Sequence, residues 1–232
     1  QADLAAATRA QIAQLGWFAL ALPEEQGGSG LSAVEHVLFF RELGRQCGPL
    51  DVLAQCLAVL MQAGGPAGEG IASGAAGVAL AVPDGGGLRV LGAADARFAL
   101  LAEPAGAHLL SLEGARLEPR PALDPANSMH RTSGLAAVAE RNDPALWHLG
   151  QLGAAAMLVG IAEAALDLIV EYAKVRETFG RKIGSYQAVR HPLADMAVRN
   201  EAARCEPFFA AAAVKAARPD AAAHVAAAKH LA

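Results

Sequence analysis

The stretch RETFGRKIGSYQ, Arg176 to Gln187, gathers a guanidinium, a hydroxyl, an aromatic ring and a side-chain amide around a glycine-marked turn. Arg176 can fork onto phosphate oxygens. Thr178 can add a hydroxyl donor to the same oxygens, and Phe179 offers a face against which a flat heterocycle packs. Gln187 adds a side-chain amide that can both donate and accept. The set suits a phosphate beside a planar ring. Each residue also has a plainer reading: Arg176 as an i,i+4 partner for carboxylates, Phe179 as a staple under the turn, Gln187 as a surface amide. Arg181 and Lys182 read as solvated charge that favours phosphate nearby.

The elements that must position this corner are helices. Asn142-Asp143-Pro144 is a helix start, with Asp as N-cap and Pro at the first helical position. From there the apolar pattern runs to about Glu177, roughly 50 Å at 1.5 Å per residue. Gly150, Gly153 and Gly160 inside it are each unfavourable by about 1 kcal/mol against alanine, which predicts close approach of a neighbouring helix. Gly180 and Gly184 flank the turn, and Ser185 is the expected cap of the next helix. Pro192 predicts a kink or a start near His191, and Pro207 a second irregularity. Pro219-Asp220 opens a third helix to Ala232 without a stop signal, so the C-terminus reads as cut.

Ala2 to Leu15 shows helical spacing and ends at Gly16, a C-cap residue. Pro23 to Gly30 is either a phosphate cradle or a loop joining two helices, and the lack of a strand before it favours the loop. Ser32 and Glu35 form a capping box for a helix to about Gln46, on which His36 reads as solvated. Asp51 opens a helix to about Gln62. From Gly77 the period changes to short apolar segments separated by Gly, Pro, Asp and Asn, which predicts about six strands. The expected fold is therefore α+β, mostly α. It has an N-terminal all-α domain (1–75), a small β-barrel-like middle domain (76–140) and an incomplete C-terminal helical bundle (141–232).

Composition narrows the function classes. Over 232 residues the chain is 54% hydrophobic but only 5% aromatic, and the alanine excess favours close-packed helices. A net charge of −4 with mixed signs gives no basic face, which argues against nucleic acid. No apolar run reads as a membrane span free of charge or glycine. Cys47, Cys56 and Cys205 are scattered without C-x-x-C spacing, so the expectation is a reduced cytoplasmic protein with no disulfide framework and no metal site.

R-x-T-F-G-x-x-I-x-x-x-Q followed by L-A-D-M resembles the helix–turn–helix corner of the acyl-CoA dehydrogenase family. LGWFALALPEEQGGSGLS (Leu15–Ser32) is similar to that family's amino-terminal L-G-hydrophobic-P-E-E-G-G-x-G-x-S signature. The resemblance covers Gln1 to about Pro49 and Leu146 to Ala232. It implies FAD as cofactor, an acyl-CoA substrate oxidised at its α,β bond, and a homo- or heterotetramer built through the C-terminal helices. On this resemblance Arg176, Thr178, Phe179 and Gln187 would serve the flavin of a neighbouring subunit.

Departures from the family pattern fall in the middle domain. Ala81 to Gly87 stands where the family has T-E-P-x-x-G-S-D, and the family's W-[IS]-[TS] strand has no counterpart; Ala102-Glu103-Pro104 falls one strand too late. The catalytic base is not found. The helix position used by some members is Gly150 here, and Glu163, Glu171, Asp195 and Glu201 read as solvated or paired. Two readings follow, an FAD-dependent dehydrogenase subunit and a catalytically silent partner that completes another chain's flavin site. A weaker third is a non-enzymatic CoA or nucleotide binder.

Overall fold

A computed structural model of the chain describes residues 5–92, 95–124 and 127–232. The helix start expected at Ala2 lies outside them. By internal contacts the chain forms two compact units, Gln1–Ser32 with Pro49–Gly150, and Ala33–Gly48 with Gln151–Ala232.

In the first unit, α1 (Ala6–Gln14) ends at Gly16 with φ +74°, the left-handed conformation that glycine adopts without penalty. Between Pro23 and Leu31 the chain folds back on itself. The amides of Gly28, Ser29, Gly30 and Leu31 donate to the carbonyls of Pro23, Ala19, Leu22 and Leu20. Those donors are consumed locally, so the glycines close a loop and do not cradle a phosphate. A side chain at Gly28 would collide with the Leu22 carbonyl.

Helix α3 (Asp51–Met61) is buried along almost its whole length. It packs on the sheet through Gln55, which is 1% exposed. The Gln55 amide nitrogen donates to the carbonyls of Ile71 (2.7 Å) and Ala76 (2.9 Å), and its oxygen accepts from the Val78 amide (2.9 Å). One side chain thus joins α3, the short helix α4 (Gly68–Ala72) and the first strand. The buried Arg9 does similar work on α1, donating to the Gly74 carbonyl at 2.8 Å and forking onto Asp95 at 3.0–3.2 Å.

The strands are β1 (Gly77–Asp84), β2 (Gly87–Leu91), β3 (Ala96–Glu103), β4 (Gly106–Ser111), β5 (Glu118–Pro119), β6 (Met129–Thr132) and β7 (Ala137–Arg141). They form one mixed sheet in the order β5-β6-β2-β1-β3-β4-β7, with β1 and β3 parallel. β5 and β7 are its two edges, so the barrel-like expectation resolves into an open sheet. One face buries Ala79, Ala81, Val90, Ala99, Leu110 and Leu112.

In the second unit, α2 (Ala33–Arg45) crosses α5 (Pro144–Val175) with backbones in contact. A Cβ at Gly44 would meet the Met157 carbonyl, and one at Gly160 would meet the Arg41 carbonyl. The expectation that a mid-helix glycine marks a close neighbour therefore holds at Gly160. Beside the crossing, Arg41 and Arg45 reach Glu163 at 2.7 and 3.4 Å, and Arg45 reaches Asp167 at 2.8 Å. His36 is 5% exposed, with its ring 4.6 Å from that of Phe40. The solvated reading of His36 is corrected, because an aromatic neighbour one turn along shelters it.

Asp143 caps α5 as expected, its Oδ1 accepting from the Ala145 amide at 3.0 Å. α5 is long and apolar enough, by length and composition, to cross a membrane, although a third of its most apolar window (33%) is buried inside the protein. The expected absence of a span rested on charge and glycine interruptions, but α5 runs continuously through Gly150, Gly153 and Gly160. α6 (Gln187–Lys215) runs unbroken through Pro192 and Pro207. The two prolines leave the carbonyls of Ala188 and Ala203 without their usual partner, yet neither ends the helix. α7 (Ala221–Leu231) packs back on α6, with His224 Nδ1 2.8 Å from Glu206 and its ring edge-on to Phe209.

Two outcomes test this packing. Gly160→Ala destabilises the protein by about 1–3 kcal/mol in chemical denaturation, despite its gain in helix propensity of about 1 kcal/mol; a stabilised variant would refute the crossing. Burial pushes the Cys56 thiol up to about 12, whereas Cys47 and Cys205 are exposed. A thiol reagent on the native protein should therefore modify Cys47 and Cys205 quickly and Cys56 only after unfolding.

Candidate functional site

The corner between α5 and α6 is a miniature hairpin. β8 (Glu177–Thr178) pairs with β9 (Arg181–Lys182), Thr178 opposite Arg181, which leaves Phe179 and Gly180 as a two-residue turn. Both have positive φ, +53° and +77°, the signature of the turn type whose twist suits a tight hairpin. Glycine adopts that conformation freely. Phenylalanine in it costs roughly 1–2 kcal/mol. Nothing in the corner repays that cost, because the Phe179 ring is 93% exposed. The reading of Phe179 as a staple under the turn is corrected: the positive φ sends the ring outward.

The backbone on either side of the turn is bonded at Arg176 and Thr178. The Arg176 amide donates to Tyr172 and its carbonyl accepts from Ile183, both at 2.9 Å. The Tyr186 hydroxyl donates to the Thr178 carbonyl at 2.7 Å. Gly184 sits against α5, where a Cβ would lie 2.9 Å from the Ala173 carbonyl. Ser185 does not cap α6. Its hydroxyl donates back to the Lys182 carbonyl at 2.6 Å within a 3-10 turn, Ile183–Ser185, and Tyr186 takes the N-cap position.

The cations divide sharply. Lys174 is held by Glu171 at 2.6 Å, and Lys182 by Glu177 at 2.7 Å and the Val175 carbonyl at 3.2 Å. The Arg181 guanidinium lies 4.2 Å over the Tyr186 ring. Arg176 is exposed, and among the described residues its side chain makes no ion pair or hydrogen bond. The helix carboxylates it could have used are taken by the lysines. Gln187 is exposed at the first position of α6, and Thr178 is half-buried between them in sequence. The four predicted residues therefore lie on one short hairpin and the helix start after it, with Arg176, Phe179 and Gln187 facing solvent.

Leading to the corner, α5 carries an exposed seam of Leu158, Ile161, Ala165, Leu168, Tyr172 and Val175. Its alternating three- and four-residue spacing is the pattern of a helix–helix contact. The sequence contained this seam, but its residues were indistinguishable from core without knowing which face of α5 meets α2.

In the first unit, Ala81 to Gly87 forms no loop. The register runs from Ala81 opposite Val90 to Asp84 opposite Gly87, closed by Gly85 and Gly86 at φ +53° and +84°. Ala102-Glu103-Pro104 likewise ends β3 at a tight turn, Glu103 opposite Gly106. No carboxylate on α5 is placed as a free base: Glu163 is bound by Arg41 and Arg45, and Glu171 by Lys174. No metal-binding cluster occurs among the described residues.

Comparison with known proteins gives these features a context. Residues 1–67 match the model of the acyl-CoA dehydrogenase N-terminal domain, and residues 147–232 match that of the C-terminal domain, together about two thirds of the chain. Acyl-CoA dehydrogenase IpdE2 of Mycobacterium tuberculosis is 32% identical over 206 residues, covering 82% of this chain and 60% of that protein. The chain thus spans less than two thirds of that relative's length. Among solved structures, a Tcur3481–Tcur3483 steroid ACAD variant superposes with a TM-score of 0.77 at 25% identity, covering 98% of this chain and 73% of that one. The ChsE4–ChsE5 complex of Mycobacterium tuberculosis gives 0.75 at 25% identity, covering 97% and 72%. With both terminal domain models matched in order on either side of a seven-stranded sheet, the chain belongs to the acyl-CoA dehydrogenase family.

Proposed function

We propose that this chain is an FAD-dependent acyl-CoA dehydrogenase-type subunit whose hairpin corner holds the adenosine diphosphate half of a flavin belonging to an adjacent protomer. The observation that carries the reading is the Phe179 turn. A bulky residue kept in a left-handed conformation with its ring in solvent is strain without local return, and such strain marks functional positions. Beside it stands an arginine that no carboxylate neutralises. Arg176 would fork onto the diphosphate and Thr178 would donate to the same oxygens. Phe179 would pack by the adenine, and Gln187 would bond the ribose or the base. FAD, when bound, supplies the acceptor for the hydride removed from an acyl-CoA β-carbon. The chain's own residues hold and orient one end of that cofactor.

The exposed seam of α5 supports association through the C-terminal helices, as a homo- or heterotetramer. A corner that serves a neighbour's cofactor requires such association.

A second reading is favoured by the β1–β2 hairpin. There, Ala81 to Gly87 offers neither hydroxyl nor free carboxylate loop to a flavin ring, and α5 presents no free base. On this reading the chain is a catalytically silent partner that completes the FAD site of a second, complete subunit. The likeness to a chain of the ChsE4–ChsE5 complex supports a mixed assembly.

The two readings separate in the visible spectrum. Purified alone, a catalytic subunit is yellow and is bleached by acyl-CoA, whereas a silent partner is colourless and gains flavin only on co-expression with a neighbour. In either case Arg176→Ala lowers flavin affinity about 10- to 100-fold, from the loss of a charge-assisted pair of hydrogen bonds worth about 1.5–3 kcal/mol. Unchanged flavin content and unchanged subunit association in that variant would refute the assignment.

A further inference from the structure

The sheet of the first unit carries a second concentration of arginines that the corner does not involve. At the turn end of β1 and β2 an open cleft of about 290 Å³ is lined by Gly86, Gly87, Arg116, Glu118 and the Arg131–Ser133 stretch. We propose that this cleft binds a phosphoryl oxyanion, as a free ion or as the phosphate end of a small molecule. The reading goes beyond the flavin corner and does not rest on it.

Three features carry the inference. Arg131 is anchored from behind, its Nη2 donating to the carbonyls of Gly85 (3.2 Å) and Asp84 (3.5 Å). Held there, the guanidinium is fixed in place with donors to spare, which lowers the entropy lost on binding. Arg116 stands at the mouth, 90% exposed, and its contact with Glu118 is loose at 3.8 Å because Arg120 holds the other oxygen of that carboxylate at 3.3 Å. The lining therefore carries two guanidiniums against one carboxylate, and that carboxylate is already shared.

Thr132 supplies the third feature. The residue is largely buried and lines the same cleft; its hydroxyl makes no hydrogen bond among the described residues and opens onto the cleft. A hydroxyl held on a largely buried residue and open to the cleft is a positioned donor for a ligand oxygen. Ser133 adds an exposed hydroxyl beside it.

The glycines keep the cleft open. Gly86 has nothing within 4 Å of where a Cβ would stand, while Gly87 lies so close to the Thr132 carbonyl that a Cβ would come to 2.7 Å. A glycine turn without side chains over paired guanidiniums and hydroxyls suits a compact, multiply charged oxyanion. The volume is at the small end of ligand pockets.

The test is a calorimetric titration with inorganic pyrophosphate in the Arg176→Ala background, so that the corner contributes nothing. The expected result is saturable one-site binding that Arg116→Gln weakens about tenfold and Thr132→Val about fivefold. Unchanged thermal melts would show that both variants fold. Arg131 is kept, because it also holds the turn. Absence of saturable binding in the Arg176→Ala protein would overturn the proposal, as would equal affinity in both cleft variants.

Discussion

The closing pair Thr178–Arg181 is the constraint on which the corner depends. Once those residues face each other only two remain to reverse the chain, and here both take positive φ. Gly180 does so freely; Phe179 does so against its own preference. With the Arg176 amide and carbonyl and the Thr178 carbonyl already bonded within the corner, the side chains of Arg176 and Phe179 are released outward. Rigidity of the backbone and availability of the side chains have the same cause. A binding site gains from that combination, because little ordering remains when a ligand arrives.

The hairpin is only as well placed as the helices behind it. α5 is fixed where Gly160 and Gly44 let its backbone touch that of α2, and Arg41 and Arg45 clamp Glu163 beside that crossing. The face of α5 used there leaves another face free, and on it the seam from Leu158 to Val175 runs toward the corner. In the first unit, Gln55 and Arg9 perform the corresponding task with hydrogen bonds, tying helices to the sheet through buried polar side chains that bond backbone carbonyls and amides and, from Arg9, Asp95.

Much of this was legible in the sequence wherever a residue has one physical use. Asp143-Pro144 announced the start of α5, Gly16 the end of α1, and the change of period at Gly77 the sheet. The corner was legible because Arg, Thr, Phe and Gln around a glycine turn form an unusual set. What escaped depended on partners distant in sequence. His36 reads as solvated until Phe40 and the packing of α2 shelter it. Pro192 reads as a kink or a helix start near His191 and Pro207 as an irregularity, yet the many remaining backbone bonds of α6 carry it through both. Gln55 is an ordinary polar residue in sequence and the pivot of the first unit in space. The strain at Phe179 needed coordinates, because the letters T-F-G-R do not show which residues pair across the turn.

The central claim is that the outward ring of Phe179 meets a flavin dinucleotide at a subunit contact. Phe179→Trp places an indole at that position, and its emission can be followed above the background of Trp17 and Trp147 while FAD is added to the assembled oligomer. The account predicts saturable quenching of the added emission, abolished when Arg176 is replaced by alanine or the oligomer is dissociated. Emission that stays unchanged while the assembly takes up FAD would contradict it.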